Sequence, residues 1–340
     1  MDLIRLYGLI DNLGALLGIV SNSLLIWIIF RVAKGKLQSY SYLVLISSIF
    51  DLFFSVIEVI TQHQLLVRHG VVFVMAHGIE SQLGGWAHYC CMIPHIFSCT
   101  HSVLILGPQF FYRMDLVTGA SPNLYTLLKY TAVSSAASLF VGISAGVGIF
   151  QAKQRGFDYY LEQMDGPWFN EKAKRFLTYA CDIRDIGTLC FYGGALVFTT
   201  ICFWMSVYAI WKTFSFVRDS SSQLSDRTAA LQRQFTIRNV NLIVQTINAF
   251  VFAVIPVSQI CISMLLRLDL EFVGIGTMVP LSYLSVSNAL LTIYIVKAYR
   301  RELCLLLPCR FAVDVHPSTT QTTKLTTNTE NLSTRQTNEN

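Results

Sequence analysis

The chain has 340 residues, of which 53% are apolar and 13% charged, and a net charge of +5, with a mean hydropathy of +0.51. A soluble globular chain carries about 25% charged residues, so this one has too few to cover its apolar surface in water, and a bilayer removes the mismatch. The basic residues are dispersed between apolar runs, which gives no support to a nucleic-acid interface, and the nine cysteines lack the loop spacing of a metal site or a disulfide scaffold.

A membrane helix needs about 20 mostly apolar residues. In chain order, seven segments meet this: Leu9–Phe30, Tyr42–Ile60, Trp86–Tyr112, Tyr125–Phe150, Gly187–Trp211, Asn241–Leu266 and Phe272–Val296. They are far longer than barrel strands, so the expected fold is an all-α integral membrane protein, a seven-transmembrane-helix bundle. The start MDLIRLYGLIDN lacks the succession of a cleavable leader, and the first run is expected to act as signal and anchor. VVFVMA at 71–76 is too short to span and reads as part of an interfacial loop. RLDLE predicts a tight turn before the last helix, and a charged loop lies near 151–186. These elements make one seven-transmembrane domain over 1–310. The Thr/Asn-rich residues 311–340 read as a disordered cytoplasmic tail. Lys and Arg concentrate beside alternate span ends (Arg31, Lys34, Lys36, Arg113, Arg218, Arg233, Arg238, Arg300, Arg301), placing the amino terminus outside and the carboxyl terminus in the cytoplasm.

Ionisable groups inside a bilayer are expensive. Asp51 lies mid-span, and Asn22 and Asn288 also fall within spans, so these three could meet as an intramembrane polar switch; the alternative for Asp51 is a purely structural, hydrogen-bonded group. Arg113 closes the third span in FFYRM. It reads either as a snorkelling cation with Tyr112 an interface aromatic, or as a pair that contacts a cytoplasmic partner. Arg233 and Arg238 precede the sixth span, and Pro256 within it supplies a hinge or a static kink. Cys91, His95 and Cys99 share a helix face. That spacing could hold a soft metal, but Cys is more often a packer and His95, after Pro94, more often bonds neighbouring backbone, so no metal is expected. Met92, His95 and Cys99 are the candidate ligand-pocket residues. Cys90 or Cys91 could bridge to Cys181 on the oxidising outer side, or all three stay unpaired. After the seventh span, IYIVKAYRREL suits a short amphipathic helix on the inner leaflet, with Cys304 and Cys309 as candidate palmitoylation sites. No catalytic constellation stands out.

The Asn22, Asp51 and Asn288 pattern resembles rhodopsin-like receptors, although Asn288 is followed by Ala289 rather than proline, and no acid precedes Arg113. LQRQF…QTINAFVFAVIP, IYIVKAYRREL and FFYRM together resemble the nematode serpentine chemoreceptors of the Str superfamily, with its Srd and Str branches. The resemblance implies a G-protein-coupled chemosensory receptor for a small molecule in the plasma membrane of a sensory cilium, with Tyr112, Arg113, Arg233 and Arg238 at the coupling face. The implied partners are a heterotrimeric G protein, a small-molecule ligand and membrane lipid, with no nucleic acid and no cofactor; an oligomer is left open. The rival readings are a ligand-gated cation channel resembling insect odorant receptors, whose amino terminus lies inside, and a membrane transporter, which predicts duplicated halves.

Overall fold

The computed structural model describes residues 2–33, 39–83, 86–118, 120, 122–164, 177–221, 244, 247–269 and 271–306. Arg233, Arg238, Cys309 and the tail lie outside the described residues.

Seven described helical stretches are long and apolar enough to cross a membrane: Leu6–Ala33, Tyr40–Thr61, His88–Val117, Leu124–Gln154, Ile186–Phe216, Ile247–Leu265 and Gly276–Ile295. The chain is a multi-pass membrane protein. Its helices are α1 (Asp2–Ala33), α2 (Ser39–Thr61), α3 (Ala87–Leu104), α4 (Leu106–Val117), α5 (Leu124–Gln154), α6 (Phe157–Glu162), α7 (Ile186–Ser221), α8 (Ile255–Leu265), α9 (Glu271–Ile295) and α10 (Lys297–Leu306). Exposed Leu9, Leu13, Leu16, Val20, Trp27 and Phe30 run along one side of α1, the pattern of a helix facing lipid tails.

The third span is two helices in line. Pro108 has no N–H to offer the Leu104 carbonyl four residues back. The Cys202 thiol of α7 lies 3.6 Å from that oxygen and 3.5 Å from the Val103 carbonyl. The sixth span also departs from regular α-helix, since Phe250–Val254 winds as a π-helix immediately before Pro256. A wider turn is a common accommodation where the i→i−4 ladder is broken, so Pro256 sits at a built irregularity.

The all-α expectation needs one correction. β1 (His63–Arg68), β2 (Val71–Ala76) and β3 (Leu177–Asp182) form an antiparallel sheet in the order β1-β2-β3. VVFVMA is therefore the central strand rather than a loop. His69 and Gly70, with φ of 50° and 78°, make the two-residue turn that a tight hairpin requires. Side chains alternate across the sheet. Leu65, Val67, Val72, Val74, Tyr179 and Cys181 pack on Met92, Ile149, Tyr192, Ile260 and Met264 of the bundle. Leu66, Val71, Phe73, Met75, Leu177 and Ala180 pack under Tyr160 and Met164. Both faces are dry, so the sheet is a plug seated at one end of the bundle.

Candidate functional site

Beneath this plug lies a chain of buried polar groups. His63 opens β1, directly after α2 ends; Glu80 lies in a 3-10 turn at Ile79–Gln82. His63 Nε2 is 2.9 Å from Glu80 Oε2, and His63 Nδ1 is 2.7 Å from His95 Nδ1. His95 Nε2 is 2.7 Å from Glu58 Oε2, while His88 Nδ1 reaches Glu80 Oε1 at 3.3 Å. Asp11 of α1 interacts with Glu58 and accepts a hydrogen bond from Ser282 Oγ of α9. One alternating set of donors satisfies the central contacts. The Glu80 hydroxyl donates to His63 Nε2, His63 Nδ1–H to His95 Nδ1, and His95 Nε2–H to Glu58. The chain ties α1, α2, α3, α9 and the sheet together.

Burial pushes the Glu80 carboxyl up to about 7, and burial with the His95 ring beside it holds the His63 imidazole well below its ordinary 6.5. Both directions favour a neutral pair. Their effects on stability oppose one another. Unfolded His63 binds a proton that the folded ring refuses, so its contribution makes stability rise with pH up to about 6.5. Folded Glu80 keeps a proton that the unfolded carboxyl loses above about 4.5, so its contribution makes stability fall with pH up to about 7. The slopes offset in the window just below pH 6.5. Glu80→Gln, whose amide donates to His63 and accepts from His88, is therefore expected to fold and to uncover the His63 slope. Its melting temperature should rise between pH 5 and 6.5 by the equivalent of up to about 1.4 kcal/mol per pH unit, while the parent stays nearly flat. Parallel pH profiles of the two proteins would remove this assignment.

A second polar cluster lies deeper along the same helices. Asn288 Nδ2 donates to Asp51 Oδ2 at 3.4 Å, and Asn248 Nδ2 donates to Asn288 Oδ1 at 2.9 Å and to Ser287 Oγ at 2.7 Å. Asn22 Nδ2 donates to the Gly18 and Ser285 carbonyls at 3.0 and 3.2 Å, and Ser285 Oγ meets Ser55 Oγ at 2.8 Å. Asn22, Asp51, Asn288, Gln109 and Arg113 all line one cavity of about 20 Å³, room for about one water. The structure thus brings the three candidate switch residues onto one small cavity and adds Asn248, whose signal was a lone amide among apolar residues in NAFVFAV.

Other candidates sit differently from their sequence readings. Arg113 is 6% exposed, with its guanidinium 5.0 Å from the Tyr40 ring centroid, so it does not snorkel. Tyr112 is buried with Leu43 and Leu127 and donates to the Pro122 carbonyl at 3.3 Å; it is a packing residue and not an interface aromatic. His95 bonds side chains of two other elements instead of neighbouring backbone. Met92 packs under the sheet, and Cys99 packs with Phe54 and Leu281 in another cluster. Both clusters meet at Val257 and Met278. Cys90, Cys91 and Cys181 carry free thiols. Cys181 is buried within the sheet cluster, Cys90 is exposed and Cys91 is half-buried, and neither is joined to Cys181 in this structure. Arg155 and Arg184 hold the segment that follows β3: Arg155 Nη2 is 2.5 Å from Asp185, and Arg184 pairs with Asp182.

Seven spans, a buried polar core shared by the first, second, third and seventh, and a short helix α10 anchored by buried Tyr299 define a receptor-type membrane fold. Squid rhodopsin shares it with a TM-score of 0.59 over 89% of this chain and 86% of that one; at 11% identity, this is a likeness of fold alone. The family described as serpentine type 7TM GPCR chemoreceptor Str matches residues 8–304, and the chain belongs to it. Two Caenorhabditis elegans proteins are similar over shorter stretches. Serpentine receptor class delta-2 is 27% identical over 41% of this chain and 38% of its own length, and serpentine receptor class delta-3 is 29% identical over 36% of each. The matched stretch spans little more than a third of either relative.

Proposed function

We propose that this chain detects an extracellular small molecule and signals to a heterotrimeric G protein, with its amino terminus outside and its carboxyl terminus in the cytoplasm of a sensory cell. The observation that carries the reading is the placement of two buried polar clusters on the same helices. Glu58 and Asp51 lie seven residues apart on α2, and α3 and α4 connect His95 to Arg113. A ligand that binds one arrangement of the outer cluster more tightly shifts the helices that also carry the inner one. The π-helical turn before Pro256 supplies a place where the sixth span can pivot and open a cleft beside Arg113. Exposed Leu305 and Leu306 on α10 suit contact with the inner leaflet.

Arg113→Ala is expected to abolish ligand-evoked G-protein activation while surface delivery is retained, measured by a nucleotide-exchange reporter beside surface labelling. Full signalling by this variant would refute the coupling role. A response that persists in cells without functional G proteins would favour a ligand-gated channel, and tail epitopes reachable on intact cells would reverse the orientation.

A further inference from the structure

A second cavity, of about 270 Å³, lies beside the sheet, between the start of α3, the end of α5 and β3, and adjoins the polar chain beneath the sheet through His88. Ile149, Ala152 and Ala180 give it an apolar floor; Tyr89, Tyr160 and Tyr179 supply aromatic walls; Lys153 and His88 complete it. Its volume is near the lower end of small-molecule pockets, about 300 Å³, so its occupant is compact.

Charge decides the chemistry. Lys153 is the one fixed charge among the lining residues, and its ammonium rests 5.9 Å from the Tyr89 ring centroid with no carboxylate partner among the described residues. Among the described residues, Asp182 and Asp185 are engaged by Arg155 and Arg184, and Glu80 by His63 and His88. The polar edge also has its own internal support. Tyr179 donates to the His88 carbonyl at 2.9 Å, and Arg155 Nη1 donates to Tyr160 at 3.3 Å. A cavity with dry aromatic walls, an apolar floor and one uncommitted cation fits a small anion with an apolar body.

We propose that this cavity binds small carboxylates with a short aliphatic or aromatic body, with Lys153 as their counter-charge and Tyr89 and Tyr179 against the body. As the site of the detected chemical it rests on the receptor reading above, whereas binding itself does not. The test uses the full chain, purified in lipid nanodiscs, with benzoate and hexanoate as probes and the neutral benzamide and hexanamide as matched controls. At least one carboxylate should bind saturably and its amide far more weakly. Lys153→Gln should weaken carboxylate binding at least about tenfold, as expected for a lost charge-assisted contact, and Lys153→Arg should retain it. Gly193→Ala, whose added Cβ meets nothing within 4 Å, should bind like the parent. Equal binding of acid and amide, unchanged binding in Lys153→Gln, or no saturable binding to folded receptor would each overturn the proposal. Saturable, Lys153-dependent binding that evokes no signal in cells would sustain the carboxylate site and remove its role in detection.

Discussion

His95→Ala is expected to cost about 3 kcal/mol or more of stability, the upper end for leaving a buried acceptor unsatisfied and more where that acceptor is charged, and to reduce surface delivery to near background. His95 is 2% exposed and meets two other buried groups, Glu58 Oε2 and His63 Nδ1, each at 2.7 Å. Alanine removes one of the donors to a carboxylate in a dry site and leaves a histidine facing a cavity the size of an imidazole. Most of the loss is charge desolvation, so adding Glu58→Gln to the same chain should recover a large part of it, because an amide tolerates burial better than a stranded carboxylate. Thermal melting of the parent, the two single variants and the double variant measures this coupling directly. If the two losses simply add, the pair is not energetically linked and the polar chain is only a set of neighbours.

The second large effect is at the contact between α5 and α7. Gly148 and Gly187 let these backbones touch: a Cβ on Gly148 would meet the Thr188 amide nitrogen at 2.7 Å and its Cα at 3.1 Å. Helices in lipid associate largely by close packing of small residues, and backbone atoms cannot rotate away as a side chain can. Gly148→Leu should therefore separate the two helices, with a cost at or above about 3 kcal/mol, the upper end of ordinary overpacking, and yield a receptor that elutes as aggregate in detergent. Gly193→Ala on the same α7 is the control. Its Cβ would meet nothing within 4 Å, so it should be neutral or stabilising by up to about 1 kcal/mol through helix propensity. Normal folding of Gly148→Leu would refute close backbone contact between α5 and α7.

Much of the fold was legible in the chain because the bilayer imposes a simple condition. Backbone polar groups in hydrocarbon must be paired within their own helix, so uninterrupted apolar length alone reveals the spans. The turn at RLDLE and the helix after the seventh span follow the same logic. The sheet was harder to read, because VVFVMA is too short to span and a six-residue apolar run has no period that separates strand from loop. Its β-branched content and the His69-Gly70 turn were the available signals. The polar chain beneath the sheet carries the same signal in the sequence: Asp11 and Glu58 are acids inside apolar runs, as Asp51 is, and the expense of charge in a membrane marks all three alike.

The amino-acid sequence by itself determined that this protein crosses a membrane seven times, that a short helix follows, and that Asp51, Asn22 and Asn288 are buried polar groups needing partners. Only the tertiary structure decided which partners they have. It joins His63, Glu80, His95 and Glu58 from two helices, a strand and a 3-10 turn, buries Cys181 within the sheet cluster, and turns Arg113 inward against Tyr40. The physical reason is one of range. Hydropathy is a property of successive residues, whereas a hydrogen bond between His63 and His95 depends on how separate elements pack around a common core.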